Sequence, residues 1–335
     1  MIAIVPGPRR AASASTQVTA IPRPARMPAG SSLVDAMVGL LLGTLATSAA
    51  AMVFLTVRSA YAIAAEQREL EQRGAALLDA IAALLRHAGW HPDPTTALPA
   101  PLSGRDDCGQ PRLGGTLACD KRGVAGSDAL LIRFGGDHPA GDPALPDRYL
   151  TDCSGYPVPI AAVPAETRPA SSPRTADYLT ANLLYVADAP DGEPQLLCRY
   201  PGRGDGGSGG GSAGRAWSTG ALARGVETLQ LRYGIDRDGD GRVDAFLRAS
   251  ELAAAGPGAW CGVLAVQIAL VLRTGVGTTA ALPQPLPLSL LPARMAGEQG
   301  DDIVFRPRSR PNASRRAFAT TVWLRNAPFR AGSPC

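Results

Sequence analysis

Pro28-Ala-Gly-Ser-Ser-Leu-Val-Asp-Ala-Met-Val-Gly-Leu-Leu-Leu-Gly43 is the stretch on which the reading of this chain turns. It opens a run of 22 residues, Ala36 to Val57, that carries no formal charge. As a helix rising about 1.5 Å per residue, such a run crosses a hydrocarbon layer of about 30 Å. Arg9, Arg10, Arg23 and Arg26 precede it without any acid among them. That asymmetry keeps the N-terminus in the cytoplasm and sends the remainder outward.

A secretory signal has a shorter apolar run that ends at a small-residue cleavage site. Here the run passes into Arg58-Ser-Ala-Tyr-Ala-Ile-Ala-Ala-Glu66 and then into Ala75-Ala-Leu-Leu-Asp-Ala-Ile-Ala-Ala-Leu-Leu-Arg-His87. Leu70, Leu77, Leu78, Ile81, Leu84 and Leu85 recur at helical spacing, with charges on the other face. No proline intervenes before Pro92, and Gly89 supplies a C-terminal stop. The spacing predicts one helix from about Leu33 to Ala88, apolar all round in its first half and amphipathic in its second.

Asp35 sits at the edge of the apolar span, where a carboxylate is costly unless partnered. The residues alone allow an acid at headgroup level, or a first-turn acid favoured by the helix dipole.

The 335 residues are 45% apolar and 19% charged, which permits a sizeable core. Gly (38) and Pro (30) are plentiful and aromatics are 5%, a mix that suits strands joined by many turns. The net charge of +4 is matched by the four arginines of the first 30 residues, so the rest is balanced. There is no electrostatic case for nucleic-acid binding.

Short apolar runs separated by Gly, Pro and Asp follow the helix. Strands are expected at Ala129–Phe134, Asn182–Ala187, Gln195–Tyr200, Val226–Tyr233, Gly262–Thr274 and Ala317–Leu324. Val226–Tyr233 alternates, with Val226, Thr228, Gln230 and Arg232 opposed to Glu227, Leu229, Leu231 and Tyr233. Hairpins in an antiparallel sheet fit better than βαβ units, because no second amphipathic helix alternates with the strands. Gly202–Gly214 lacks GK[ST] and a following helix, so it is read as a flexible surface loop. Pro283–Pro292 reads as an extended connector. Asn312-Ala-Ser314 matches a glycosylation sequon and is discounted in a bacterial-looking chain.

Six cysteines without CxxC spacing fit disulfides in an oxidising compartment better than a zinc site. Cys108 and Cys119 are near enough in sequence to close a short loop, and Cys153 with Cys198 is the next pairing. Cys261 and Cys335 are either a third pair or two free thiols.

Asp236-Arg-Asp-Gly-Asp-Gly-Arg-Val-Asp244 is a metal-like constellation. Asp236, Asp238, Asp240 and Asp244 fall at positions 1, 3, 5 and 9 of a Ca²⁺ loop, with Gly241 at the sharp turn. Position 12 is Leu247 and not the bidentate Glu, so a plain Asp/Gly hairpin turn is the competing reading. His87 and His91 are four apart, but Gly89 ends the helix between them, and His138 sits in a Gly/Asp/Pro loop. No G-x-S-x-G, H-E-x-x-H or Cys/His arrangement argues for catalysis.

Gly30-Ser31-Ser32-Leu33-Val34-Asp35 resembles the class III signal of type IV prepilins. In order along the chain, Arg86-His-Ala-Gly-Trp90, Ser127-Asp-Ala-Leu130, Leu197-Cys198-Arg199, the Val226–Asp236 run, Leu264–Leu270 and Arg315–Asn326 resemble motifs of the PilW family of type IV pilus assembly proteins. The resemblance spans most of residues 30–326. It implies an α+β, type IV pilin-like fold, with a long N-terminal helix (transmembrane in its first half) packed on a C-terminal antiparallel β-sheet domain. It also implies prepilin peptidase cleavage between Gly30 and Ser31, which makes Asp35 the fifth mature residue, paired with the N-terminal amine of a neighbouring subunit. Ser31 and Asp35 stand where the family usually has Phe and Glu.

The implied organisation is a leader at 1–30 (or a shorter one from Met27), a transmembrane half at 31–57, an amphipathic half at 58–89 and a periplasmic β-rich domain at 90–335. The implied partners are other minor pilins, the major pilin, the peptidase and the inner membrane. A type II secretion pseudopilin shares the same start. A membrane-anchored periplasmic enzyme and a Ca²⁺-dependent tip adhesin are rivals of other classes.

Overall fold

The computed structural model describes residues 32–90, 99–113, 117–136, 150–155, 157–158, 180–201, 217–275, 287–292, 303–310 and 313–326. The chain divides into two compact units, one ending at Arg58 and the other beginning at Ser59.

Helix α1 runs Leu33–His87, 55 residues, within one residue of the expected end. Ala and Leu dominate it and no proline interrupts it. In the second unit, its Leu70, Leu77, Ile81 and Leu85 are buried along one face.

The strands are β1 (Leu102–Arg105), β2 (Pro111–Leu113), β3 (Leu117–Cys119), β4 (Ala129–Phe134), β5 (Thr180–Asp188), β6 (Pro194–Pro201), β7 (Trp217–Arg224), β8 (Val226–Ile235), β9 (Ala245–Leu247), β10 (Val263–Arg273), β11 (Leu288–Ser289), β12 (Val304–Phe305) and β13 (Arg315–Trp323). They form two main sheets, ordered β1-β4-β5-β6-β7 and β13-β10-β8-β9, with β2–β3 and β11–β12 as separate ribbons. Every pairing is antiparallel. The fold class is therefore the expected one, a long N-terminal helix followed by antiparallel sheet. A short helix, α2 (Ala249–Ala254), lies between β9 and β10.

The main core joins the α1 face to Leu130, Ile132 and Phe134 of β4, Leu229, Leu231 and Tyr233 of β8, and Val266, Ile268 and Leu270 of β10. The other face of the first sheet is covered too. Leu131, Leu183 and Tyr185 pack with Leu117 and Cys108 of the β2–β3 region. On the second sheet, Ala269 and Val271 are covered by Leu290, Leu291, Ile303 and Phe305 around β11–β12.

This double covering leaves β8 without a solvent-facing side. Its alternation suggests one wet face, yet all ten of its residues are buried. Polar side chains of this strand find carbonyl partners inside: Gln230 Nε2 donates to Gly126 O (2.7 Å) and Arg232 Nη1 to Pro292 O (2.8 Å). Disulfides join Cys108 to Cys119 and Cys153 to Cys198. Cys261 is also disulfide-bonded, while Cys335 lies outside the described residues.

Candidate functional site

The apolar half of α1 is the first candidate. Leu33, Leu40, Met52 and Phe54 are each 65–78% exposed. The helix is long and apolar enough to cross a membrane, and its apolar stretch is fully exposed. Its hydroxyls are turned back onto the helix. Thr44 donates to Leu41 O (2.9 Å), Thr47 to Gly43 O (2.9 Å), Ser48 to Thr44 O (2.7 Å) and Thr56 to Met52 O (2.8 Å). Back-bonding of this kind leaves these side chains no hydrogen-bonding need that lipid would fail to meet.

At the start of the helix, Asp35 Oδ2 accepts the Ser32 N–H (3.2 Å) and Ser32 Oγ accepts the Val34 N–H (3.1 Å). This reciprocal cap satisfies two of the donors that a helix N-terminus leaves orphaned. Gly30 and Ser31 lie outside the described residues, as do His91, His138, Asn312 and the 202–214 loop.

The motif residues of the second unit meet in pairs. Asn326 Nδ2 donates to Arg86 O (3.1 Å) and Ala88 O (3.3 Å) at the C-terminus of α1. Gly89 follows with φ +72°, and its N–H donates to Arg133 O (2.8 Å). A Cβ at Gly89 would lie 2.6 Å from Asn326 O, so both the conformation and the space select glycine. Phe318 of β13 sits against Gly74, where a Cβ would come within 2.3 Å of its ring. Arg316 pairs with Glu71 at 2.6 Å.

Ser127 and Asp128 join the two sheets. Ser127 Oγ accepts the Leu229 N–H (3.0 Å), the Asp128 N–H donates to Leu229 O (2.8 Å), and Asp128 Oδ2 accepts the Leu231 N–H (2.9 Å). Asp128 Oδ1 accepts the Asp107 N–H (3.1 Å). Burial, reinforced by the charge of Asp106, pushes the Asp128 carboxyl well above its ordinary value, against those backbone donors and Arg248.

A raised folded-state value binds the proton more tightly in the fold than in the unfolded chain. The stabilisation is full below the unfolded carboxylate value and is lost as pH rises through the folded one. Urea midpoints from pH 4 to pH 8 are therefore expected to fall more steeply in the natural protein than in Asp128→Asn. Parallel profiles would contradict this.

A buried ion network holds the end of the second sheet. Glu227 Oε2 accepts Arg315 Nε (2.6 Å), and its Oε1 accepts Arg315 Nη2 (3.1 Å) and Arg273 Nη1 (3.0 Å). Arg273 also donates through Nη2 to Glu193 Oε2 (2.8 Å). Glu227 and Arg315 belong to separate sequence motifs, 88 positions apart. The signal was there: Glu227 lies on the apolar side of β8, and a buried charge needs a partner.

In the acidic turn, carboxylate oxygens of Asp236, Asp238 and Asp244 lie within 4.8 Å of one another. Asp240 is outside this group. The carboxylates already accept the turn's own amides. Asp236 takes Gly239 N–H (2.6 Å) and Gly241 N–H (2.8 Å), and Asp244 takes Arg237 N–H (2.7 Å). These amide bonds hold the Asp236 carboxyl below its ordinary value, although desolvation works against them. A Ca²⁺ ion here would draw on Asp236, Asp238 and Asp244, whereas Leu247 is a β9 residue with no oxygen to offer. The turn's own amides, bonded to Asp236 and Asp244, contribute to its shape. His87 packs its ring against Phe134 at 5.9 Å.

Residues 183–326 match the family model of PilW, type IV pilus-assembly protein W. The resemblance drawn from the motifs thus holds over β5 to β13 and the Asn326 cap. No curated protein matches the chain. Among solved structures, a type IV-like pilin from Thermus thermophilus is similar at 12% identity and a TM-score of 0.35, over 78% of this chain and 98% of that one.

Proposed function

We propose that the chain is a minor pilin of a type IV pilus, held in the inner membrane by residues 31–57 and then incorporated into the fibre near its tip. One observation carries the reading: a charge-free helix from Ala36 to Val57, with its large apolar side chains exposed, precedes a segment matching a pilus-assembly family. An apolar surface of that extent needs lipid or other apolar helices around it.

In this reading prepilin peptidase cuts after Gly30, and the β-rich part faces the periplasm. Asp35 pairs with the amine of a neighbouring subunit, offsetting two charges that would each be costly in an apolar fibre core. Other minor pilins and the major pilin are the partners. Their helices associate through close packing, since lipid itself provides no hydrophobic drive between them. The role is structural and not enzymatic. Buried charges support this: Glu227, Arg273, Arg315 and Asp128 are all engaged in holding the fold. The test is the N-terminus of the mature chain, which the reading places at Ser31.

A further inference from the structure

A cleft of about 370 Å³ opens in the second unit, lined by Arg73, Asp191, Glu193, Arg224, Arg273 and Arg310. Four distant segments supply its four arginines: α1, the end of β7, the end of β10 and the stretch before β13. They face two carboxylates, so the described lining carries two positive charges in excess.

The arginines divide into two kinds. Arg273 forms the floor; it is buried and donates to Glu193, Glu227 and Ser309. Arg73, Arg224 and Arg310 form the rim, with side chains 37–53% exposed. Their local pairings leave donors over, since each guanidinium carries five N–H groups. Arg73 Nη2 donates to a carbonyl, Arg224 O (2.8 Å), and its nearest carboxylate, Glu69, is 3.6 Å away. Arg224 uses one nitrogen on Asp191. Arg310 Nη1 lies 3.0 Å from Glu193 Oε2 as an ion pair but off the line of a hydrogen bond, so that buried nitrogen has no in-line acceptor.

Arg310 also holds φ +48°, a conformation unfavourable for a side chain with a Cβ. Burial opposes ionisation of Glu193, yet Arg273, Arg310 and Arg224 hold its carboxyl below its ordinary value. Three partly hydrated guanidinium groups around one opening repel each other, and a bound anion relieves that repulsion. Their planar forks match the oxygens of a carboxylate or phosphate.

We propose that this cleft binds a small free oxyanion of the phosphate or carboxylate class, held by Arg73, Arg224 and Arg310 above the fixed Arg273 floor. The probe is inorganic phosphate, titrated calorimetrically into the full-length chain in detergent micelles. Chloride is used to keep ionic strength constant, so that screening is equal throughout.

Saturable binding is expected for the natural protein. Arg224→Ala and Arg310→Ala should each weaken it by about tenfold or more, as loss of a charge-assisted hydrogen bond does. Arg224→Lys keeps the charge and should retain part of the affinity. It also serves if an alanine variant folds poorly, which melting curves without phosphate report. Absence of saturable heat in the natural protein would overturn the assignment. So would folded alanine variants that bind phosphate as tightly as the natural protein does.

Discussion

Glu227→Ala is expected to destabilise the β-rich part by about 3–5 kcal/mol, the cost of leaving buried charges without their counter-ion. Glu227 is 4% exposed and sits between two arginines that are each 2% exposed. Its removal strips Arg315 of the Nε and Nη2 contacts to that carboxylate, while its bonds to the carbonyls of Ala313 (3.0 Å) and Ser309 (2.6 Å) remain. Arg273 keeps Glu193 but loses its second anion. A domain of this kind has only about 5–15 kcal/mol of total stability, so the variant loses a large share of it. Glu227→Gln keeps one acceptor oxygen and should lose less. Urea unfolding of the full-length chain in detergent, followed by tryptophan fluorescence, reads the change. A loss below about 1 kcal/mol would mean that the network is replaceable by water, as exposed pairs are.

Asp35→Ala is expected to leave membrane insertion intact and to abolish co-assembly with other pilins. Insertion does not suffer because the change removes a charge from the edge of an apolar span. On the proposed pairing assembly does, because the partner amine would then sit in the fibre core without its anion, at about 3–5 kcal/mol per contact. The cap at Ser32 offers a competing explanation, since Asp35 Oδ2 accepts its N–H at 3.2 Å. A lost cap costs about 1 kcal/mol. Asp35→Asn separates the two effects, because the amide oxygen still accepts the N–H while the charge is gone. Pull-down of partner pilins from membranes should fail for both variants. Normal recovery of partners with Asp35→Asn would assign the residue to capping alone.

The helix was legible because one signal ran unbroken: apolar side chains on every face, then on one, with Gly89 to stop it. The strands β4, β5, β6, β8, β10 and β13 were legible because each is apolar, bounded by turn residues and long enough to pair. β7 was not, because Trp217–Arg224 is rich in small and polar residues; among the described residues it pairs only with β6, and none of its residues is buried. The ribbons β2–β3 and β11–β12 were missed because strands of two or three residues carry no periodicity.

At the candidate site, Asp35 announced itself as an acid beside an apolar run. The meeting of Asn326 with the end of α1, and of Glu227 with Arg315, joins residues 238–240 and 88 positions apart. Such pairs are set by tertiary packing, which a single sequence does not encode locally. The arginine cleft was missed for the same reason, since its four arginines come from four segments.

The central claim, that the apolar helix belongs to a processed pilin, is tested most directly by the intact mass of the chain recovered from membranes of cells that also express prepilin peptidase. The account predicts a species beginning at Ser31, shortened by the residues through Gly30, and retained in the membrane fraction. A chain still intact across the Gly30–Ser31 bond, or one released as a soluble monomer, would contradict it.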